Sequence, residues 1–182
     1  MENYLTDGTL YAEQFNSLLI VNDIIKREKL DHIPVFELVG GTAILFHGII
    51  AVFTVDIDCV NSLNKRVKEL TDMFISDMAS EVALLPSNYK SRLINFEADK
   101  FDSISVRLLS LEDLVITKLA AFRAKDKEDL TTLSLLDKCD LNKLQDIICL
   151  EIPSNKCNEL LSRLSWSINN RELIRCREEA NY

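Results

Sequence analysis

The spacing of apolar residues predicts two parts of different structure along the chain. In the first part, segments with the helical period alternate with short apolar runs that are typical of buried strands. The predicted helices are Tyr11–Lys29, Thr42–His47 and Leu63–Met78. The predicted strands are Val35–Val39, Val52–Val60, Arg92–Ala98 and Ile104–Leu109, of which the last two form a hairpin around Asp99–Asp102.

From Leu111 onward the apolar spacing is helical throughout. Ser110 followed by Asp113 resembles a capping signal for a helix that continues to Ala124. Further helices are predicted at Glu128–Lys138, Leu141–Leu150, Asn155–Leu164 and Ile168–Glu179. The predicted fold class is therefore α+β, with a small mixed β-sheet flanked by helices in residues 1–110 and a helical C-terminal part in residues 111–182 that packs on this core.

The composition narrows the class of protein. The 182 residues are 47% hydrophobic, which suits a globular protein with a substantial core. No apolar run reaches the roughly 18 residues of a membrane-spanning helix, and the N-terminal residues lack the pattern of a signal peptide. The five cysteines form no CxxC pair, so we expect reduced thiols in a cytoplasmic protein, and neither a disulfide framework nor a zinc site.

The net charge of −8 argues against nucleic-acid binding driven by general electrostatic attraction. The aromatic residues are not interleaved with basic ones, so stacking of single-stranded bases is not expected either. The charge is uneven, however, because residues 90–127 hold eight basic and six acidic side chains. This local surplus of positive charge suits a phosphate-bearing ligand, although solvated helix faces produce similar counts.

A pair of glycines lies where the first predicted strand meets a helix. Gly40 and Gly41 would let the backbone approach a ligand closely, and free N–H groups at the start of the helix favour an anion. Thr42 could add a hydroxyl contact. The alternative interpretation is an ordinary turn between strand and helix. Neither a Walker A motif nor GxGxxG is present, which excludes the P-loop and Rossmann classes.

Asp56 and Asp58 are the candidate metal ligands. Two carboxylates that are two residues apart on a strand point to the same side of the sheet, where they can bind a divalent cation. The alternative is a half-exposed strand with polar residues facing solvent. Neighbouring aspartates repel each other unless a cation lies between them, and one or two Mg²⁺ ions there would support phosphoryl or nucleotidyl transfer.

Lys118 is a candidate because it lies inside the apolar stripe of its predicted helix. A lysine on a buried face needs a partner, which a nucleotide phosphate or a carboxylate could provide. The alternative is a side chain that extends along the surface to solvent. Arg123, Asp126 and Asp129 follow closely and could be solvated, could orient Lys118, or could meet a phosphate.

These residues together resemble a known family. The segment GGTAILFHGIIAVFTVDID resembles the GG[ST]-x-DxD signature of the polymerase-β-like minimal nucleotidyltransferases, and is most similar to the AbiEii-like abortive-infection toxin branch and its uncharacterised relatives. The later segment SLEDLVITKLAAFRAKDKEDL is similar to the second block of that branch, in which a lysine-bearing helix precedes R-x-[KR]-D-x-x-D-L. The two segments occur in the expected order.

The resemblance implies a nucleotidyltransferase sheet and a set of site residues. Its catalytic residues are Asp56, Asp58 and Lys118, and the two aspartates bind Mg²⁺. Its nucleotide-binding residues are Gly40, Gly41, Thr42, Lys118, Arg123 and Asp126. The implied reaction moves a nucleoside monophosphate from an NTP to an RNA, often tRNA, or to a protein acceptor, and a protein antitoxin is the implied partner.

The chain departs from the family pattern in two places. Relatives often carry an arginine shortly before the DxD strand, where this chain has Ala51-Val52-Phe53. A third carboxylate on a later strand is not evident, and Glu97, Asp99 and Asp102 are the candidates. Without that carboxylate, metal binding weakens and the acceptor lacks a base. The alternative function is therefore a catalytically weak module of the same fold that binds a nucleotide or a partner.

Overall fold

A computed structural model describes residues 9–49, 54, 56–97, 99–132 and 135–179, with residues 80 and 173–179 described by their backbone alone. The first elements are α1 (Leu10–Glu28), β1 (Val35–Val39), α2 (Gly40–Phe46), β2 (Ile57–Cys59), α3 (Lys65–Thr71), β3 (Ile75–Ser76), α4 (Ala79–Val82), a 3₁₀ turn (Tyr89–Arg92), β4 (Ile94–Asn95) and β5 (Ser105–Leu108). The later elements are α5 (Leu111–Ala121), α6 (Ala124–Thr132), α7 (Leu135–Lys138), α8 (Leu141–Glu151) and α9 (Ser154–Glu179).

The strands of the described residues form one mixed sheet in the order β3-β2-β1-β5-β4. The central strand β1 is parallel to β5 and antiparallel to β2, while β3 runs parallel to β2 and β4 antiparallel to β5. The predicted α+β class with a small mixed sheet is therefore confirmed. The predicted hairpin is the β4–β5 pair.

The two faces of this sheet differ in polarity. One face is apolar and buried, and its members are Phe36, Leu38, Ile57, Cys59, Val106 and Leu108. The opposite face carries Asp58 beside Val39, and Glu37 beside Arg107, as the strand register places them. Because alternate residues of a strand point to opposite sides, one face builds the core and the other can carry chemistry.

The contacts within the chain define two compact units. The first consists of residues 1–46, 53–82 and 93–109 and contains the sheet, and the second consists of residues 47–52, 83–92 and 110–182 and contains α5 to α9. The predicted boundary at residue 110 stays a prediction. None of the helices in the described ranges combines the length and the hydrophobicity that crossing a membrane requires.

The predicted helix Leu63–Met78 is wrong in its second half. The structure has α3 only as far as Thr71, and β3 then pairs with β2 through the register of Ile57 with Ile75. The hydrogen bonds of a strand edge outweigh the helical period here. Asp77 stabilises the return of the chain, because its carboxylate accepts hydrogen bonds from the backbone N–H of Leu63 at 3.4 Å and from Lys68 at 2.7 Å.

The two predicted C-terminal helices, Asn155–Leu164 and Ile168–Glu179, are one continuous helix, α9. The polar residues between them do not break it. Ser165 and Ser167 donate hydrogen bonds to backbone carbonyls four residues earlier, at 3.0 and 2.9 Å. Such a bond satisfies the hydroxyl within the helix and lets the helix continue.

Other predicted bounds shift by several residues. The strand at Val52–Val60 is observed only as β2, and residues 52, 53 and 55 lie outside the described residues. The strand Arg92–Ala98 is reduced to β4, and residue 98 is likewise outside the described ranges. The helix from Leu111 ends at Ala121, because Phe122 has a left-handed backbone with φ 49°. The helix expected at Glu128–Lys138 is α6, which begins earlier, followed by α7.

Candidate functional site

Gly40 is the point where β1 passes directly into α2. Its φ is +67°, a conformation that residues with a side chain rarely adopt. A Cβ atom at this position would also lie 3.1 Å from Oδ2 of Asp58. Glycine is thus needed here for its backbone and for the space that the carboxylate occupies. The glycine turn and the second aspartate of the DxD pair are therefore in direct contact.

Asp58 lies on β2 opposite Val39 and is half-buried, whereas Asp56 just precedes the strand and is exposed. Thr42 and Thr54 fix the backbone just before β2, because the hydroxyl of each donates a hydrogen bond to the backbone oxygen of Asp56 at 3.0 Å. Thr42 is fully buried, with Oε1 of Gln14 at 3.4 Å from the same hydroxyl. The observed role of the Thr42 hydroxyl is to position Asp56, and its contact with a triphosphate stays a prediction.

The two aspartates suit a magnesium site by their chemistry. Mg²⁺ is usually bound by one or two carboxylates, with the remaining positions filled by water and by phosphate oxygens of the substrate. Asp56 and Asp58 supply that number of carboxylates, and the carboxylate of Asp58 lies against the one residue type that leaves it room. Two carboxylates, completed by water and by phosphate oxygens, therefore suit a Mg²⁺ ion that binds together with a nucleotide.

A cleft of about 120 Å³ adjoins Asp56 in the first unit. Among the described residues that line it there is no lysine, arginine or histidine. Its polar lining residues are Gln14, Ser17, Asp56, Asp72 and Ser76. Carboxylates repel phosphate, while amide and hydroxyl groups bind uncharged polar groups. The cleft therefore suits a part of a ligand that carries hydroxyl groups rather than its phosphates.

The face of the sheet that carries Asp58 holds two further polar residues, which sequence reasoning did not select. Glu37 is buried, with 6% of its surface exposed, and Arg107 lies beside it in register on β5. Within the described part of the chain, the buried Nε of Arg107 has no hydrogen-bond partner. The signal for Glu37 in the sequence is a glutamate inside the otherwise apolar strand VFELV. The prediction did not include it, because the third carboxylate was expected on a later strand.

The three candidates for a third carboxylate do not join the pair. Asp102 forms an ion pair with Lys26 and accepts hydrogen bonds from Asn22 at 3.1 Å and Ser103 at 2.9 Å. The hydrogen bond from Lys26 is the main reason that the pKa of Asp102 falls to about 2. Glu97 and Asp99 are exposed. Among the described residues, no three His, Cys, Asp or Glu side chains are grouped closely enough to hold a metal ion.

In the second unit, Lys118 is buried in a cluster of charged side chains. Its Nζ atom donates to Oδ1 of Asp126 at 3.2 Å and to a carboxylate oxygen of Asp129. The side chain is only 8% exposed, so the alternative of a lysine that extends to solvent is wrong. A carboxylate partner is the one observed, and the predicted contact of Lys118 with a phosphate stays a prediction.

Asp126 connects this cluster to Arg123. Its carboxylate accepts hydrogen bonds from the backbone N–H of Arg123 at 3.1 Å and from the guanidinium Nε at 2.8 Å. Burial by itself would raise the pKa of Asp126, but the hydrogen bonds from Arg123 and the charge of Lys118 outweigh it and the pKa is lowered. Arg123 itself is 77% exposed.

Aromatic and basic side chains also meet in the second unit. The rings of Phe122 and Trp166 pack edge to face, with 5.4 Å between their centroids. The Nζ atom of Lys127 lies 4.7 Å from the Phe122 centroid and 5.7 Å from that of Trp166. Trp166 is 41% exposed. The helix α9 brings Trp166 to Lys127, a contact that the order of aromatic and basic residues in the sequence does not indicate.

Comparison with known proteins gives one match. The model of the DUF6036 family, described as a nucleotidyltransferase of unknown function, matches residues 17–172. This span includes the glycine turn, the aspartate pair and the Lys118 cluster. No curated protein and no solved structure matches the chain. Assignment to the AbiEii-like branch stays a prediction.

Proposed function

The chain belongs to the DUF6036 family of nucleotidyltransferases, and from this membership and the Asp56–Asp58 pair we propose that it moves a nucleoside monophosphate from an NTP to an RNA or protein acceptor with Mg²⁺. Nucleotidyl transfer from an NTP is the reaction class that the family supports. The observation that carries the magnesium dependence is the contact of the Asp58 carboxylate with the Gly40 turn, beside Asp56.

Different residues would serve different parts of this reaction. Asp56 and Asp58 would hold the magnesium ion or ions, the absence of a side chain at Gly40 leaves room for the Asp58 carboxylate, and the backbone of the Gly40–Gly41 turn would contact the triphosphate. When bound, Mg²⁺ neutralises negative charge on the phosphates and on the pyrophosphate that leaves. An acceptor oxygen forms a bond to the α-phosphorus, the bond from that phosphorus to the bridging oxygen breaks, and the acceptor proton passes to solvent.

The cleft beside Asp56 receives the uncharged, hydroxyl-bearing part of the reactants, either the ribose or the acceptor hydroxyl. Its described lining residues supply amide, hydroxyl and carboxylate groups but no cation, so the cleft favours hydroxyl donors over phosphate. Asp56 belongs both to this cleft and to the metal pair. A group bound in the cleft would therefore lie next to Asp56, one of the two residues that would hold Mg²⁺.

RNA is the acceptor that we favour over protein. Trp166 offers an exposed ring beside Lys127, and such a ring with adjacent cations stacks on unpaired bases. The resemblance to the AbiEii-like branch supports tRNA as this acceptor, a role as the toxin of a toxin–antitoxin pair, and an antitoxin protein as partner.

A second candidate function is a catalytically weak module that binds a nucleotide or a partner. It is favoured by the observation that Asp102 is committed to Lys26 and that Glu97 and Asp99 lie exposed outside any metal-binding group of the described residues. Such a protein would bind an NTP and Mg²⁺ without transferring the nucleotide.

The first test compares Mg²⁺-dependent NTP binding by calorimetry in the wild type and in the Asp56→Asn and Asp58→Asn variants. We expect each variant to bind at least about tenfold more weakly, since a tenfold loss corresponds to about 1.4 kcal/mol, a modest cost for a lost metal ligand. Asp31→Asn is the matched control and should bind as the wild type does, because Asp31 is exposed and lies outside both the pair and the cleft. Equal binding in all four proteins would contradict the proposal.

A second measurement separates the transferase from the binding module. The protein is incubated with each α-labelled NTP and Mg²⁺, together with total RNA or with an RNA-free protein extract. We expect label on RNA with the wild type and none with Asp58→Asn. Label on protein alone would contradict RNA as the acceptor. Intact NTP binding without any transferred label would support the binding module instead.

A further inference from the structure

Cys149 and Cys157 place two thiols side by side at the corner between α8 and α9. Cys149 is in the last turn of α8 and is exposed, and Cys157 is in the first turn of α9 and is half-buried. Their sulfur atoms are 3.9 Å apart. Nothing in the residue pattern indicates this pair, because the residues are eight positions apart and only the turn at Ile152 and Pro153 brings them together.

We propose that Cys149 and Cys157 are a site of reversible oxidation, at which a small-molecule disulfide converts the two thiols into an intramolecular disulfide bond. The bond requires a sulfur–sulfur distance of about 2 Å, so the two sulfur atoms must approach by about 2 Å more. Both residues lie near helix ends and neither side chain is fully enclosed. Side-chain rotation with a small movement at the corner can supply this approach.

The unequal exposure of the two thiols assigns their order of reaction. The Cys149 thiolate attacks one sulfur of the small disulfide, which breaks that S–S bond, forms a mixed disulfide and releases one small thiolate. The Cys157 thiolate then attacks the sulfur of Cys149 and displaces the second small thiolate. Two protein thiols are oxidised, one small disulfide is reduced to two thiols, and the two protons pass to the small thiolates or to buffer.

Proximity, rather than acidity, makes this pair reactive. Partial burial and the neighbouring Cys149 raise the pKa of Cys157, so its thiolate is scarce and the adjacent sulfur compensates by being within reach. Cys59 and Cys139 lack this advantage. Burial raises the pKa of each to about 12.

Peptide mapping of the wild-type protein tests the proposal directly. Trypsin cleaves after Lys143, Lys156 and Arg163, so Cys149 and Cys157 fall in separate peptides, 144–156 and 157–163. After treatment of the folded protein with oxidised glutathione and alkylation of free thiols, we expect these two peptides to be joined and to separate on reduction. Recovery of both as alkylated, unlinked peptides, or of either joined to another cysteine, would overturn the proposal.

Serine variants test the order of the steps. Cys157→Ser is expected to stop at a glutathione adduct on Cys149, and Cys149→Ser is expected to lose the adduct and the link together. Cys139→Ser is the matched control and should form the linked peptides at the wild-type rate, since Cys139 is a half-buried thiol outside the pair. Formation of a glutathione adduct on Cys157 in Cys149→Ser, at an undiminished rate, would contradict the assigned order. The peptide map of the wild-type protein decides whether the disulfide forms, even if a variant does not fold.

Discussion

At the residue scale, Gly40 and Asp58 form the most constrained contact of the candidate site. The backbone of Gly40 is left-handed and the carboxylate of Asp58 fills the space that a side chain would need. Gly48 is also left-handed, with a φ of +72°, but among the described residues a Cβ atom there would come within 4.0 Å of the Nζ atom of Lys138 alone. The two glycines thus share a left-handed backbone conformation but differ in their neighbours.

Gly40→Ala is expected to lower the free energy of unfolding by about 1–2 kcal/mol, the cost of a left-handed alanine, and also to displace Asp58 and weaken Mg²⁺-dependent NTP binding. Gly48→Ala is expected to lose similar stability and to keep NTP binding. Urea unfolding and calorimetric titration measure the two effects. Equal NTP binding in the two variants would show that the Gly40–Asp58 contact does not serve the site.

The residues of this contact were identifiable from the sequence, but their interactions were not. Gly40, Asp56 and Asp58 stand out by residue type and spacing alone. The buried hydroxyl of Thr42 and the register of Glu37 with Arg107 depend on which strands pair, and that pairing joins residues far apart in the chain.

At the scale of the elements, the Lys118 cluster joins α5 to α6. The carboxylates of Asp126 and Asp129 come from α6, and their side chains are 2% and 8% exposed. Burying three charged groups is costly unless they neutralise one another. The cluster therefore fixes one arrangement of the two helices, and loss of its only lysine leaves two carboxylates facing each other.

Lys118→Met is expected to lower the free energy of unfolding by about 3–5 kcal/mol, because Arg123 still pairs with Asp126 but the buried carboxylate of Asp129 loses its ion pair. Lys26→Met is the matched control. Lys26 pairs with Asp102 and the two side chains are 60% and 57% exposed, so we expect a loss of no more than about 1 kcal/mol. Urea unfolding measures both. Similar losses in the two variants would contradict a structural role for the cluster.

Helices with strong local signals were predicted well, and short strands were not. The cap at Ser110 is observed, since its hydroxyl accepts a hydrogen bond from the N–H of Asp113 at 3.2 Å. In contrast, β3 has only two residues, and it exists because β2 lies beside it. A local pattern carries the signal for a helix, whereas an edge strand depends on its neighbour.

At the scale of the whole molecule, ion pairs hold several carboxylates in their charged form. Hydrogen bonds from Lys26, Lys68 and Arg92 are the main causes of the lowered pKa values of Asp102, Asp77 and Glu151. A group with a lower pKa in the folded state stabilises the fold above its unfolded pKa. That contribution is lost as the pH falls through the folded value.

We therefore expect the free energy of unfolding to decrease as the pH falls from about 4 to about 2, the interval between the ordinary and folded pKa values of Asp102. Asp102→Asn should show a shallower decrease, because the asparagine does not titrate. Urea unfolding at a series of pH values measures the slope. A wild-type slope no steeper than that of Asp102→Asn would contradict this account.

The sequence by itself determined the α+β class and the helical second part, and it selected Gly40, Asp56, Asp58 and Lys118 as candidates, because each depends on local period or on residue type. Only the tertiary structure decided the partners of Lys118, the ion pair that commits Asp102, and the approach of Cys149 to Cys157. The physical reason is the same for all three features. Each is a short-range contact between groups that are separated along the chain, and such contacts exist only once the elements have packed.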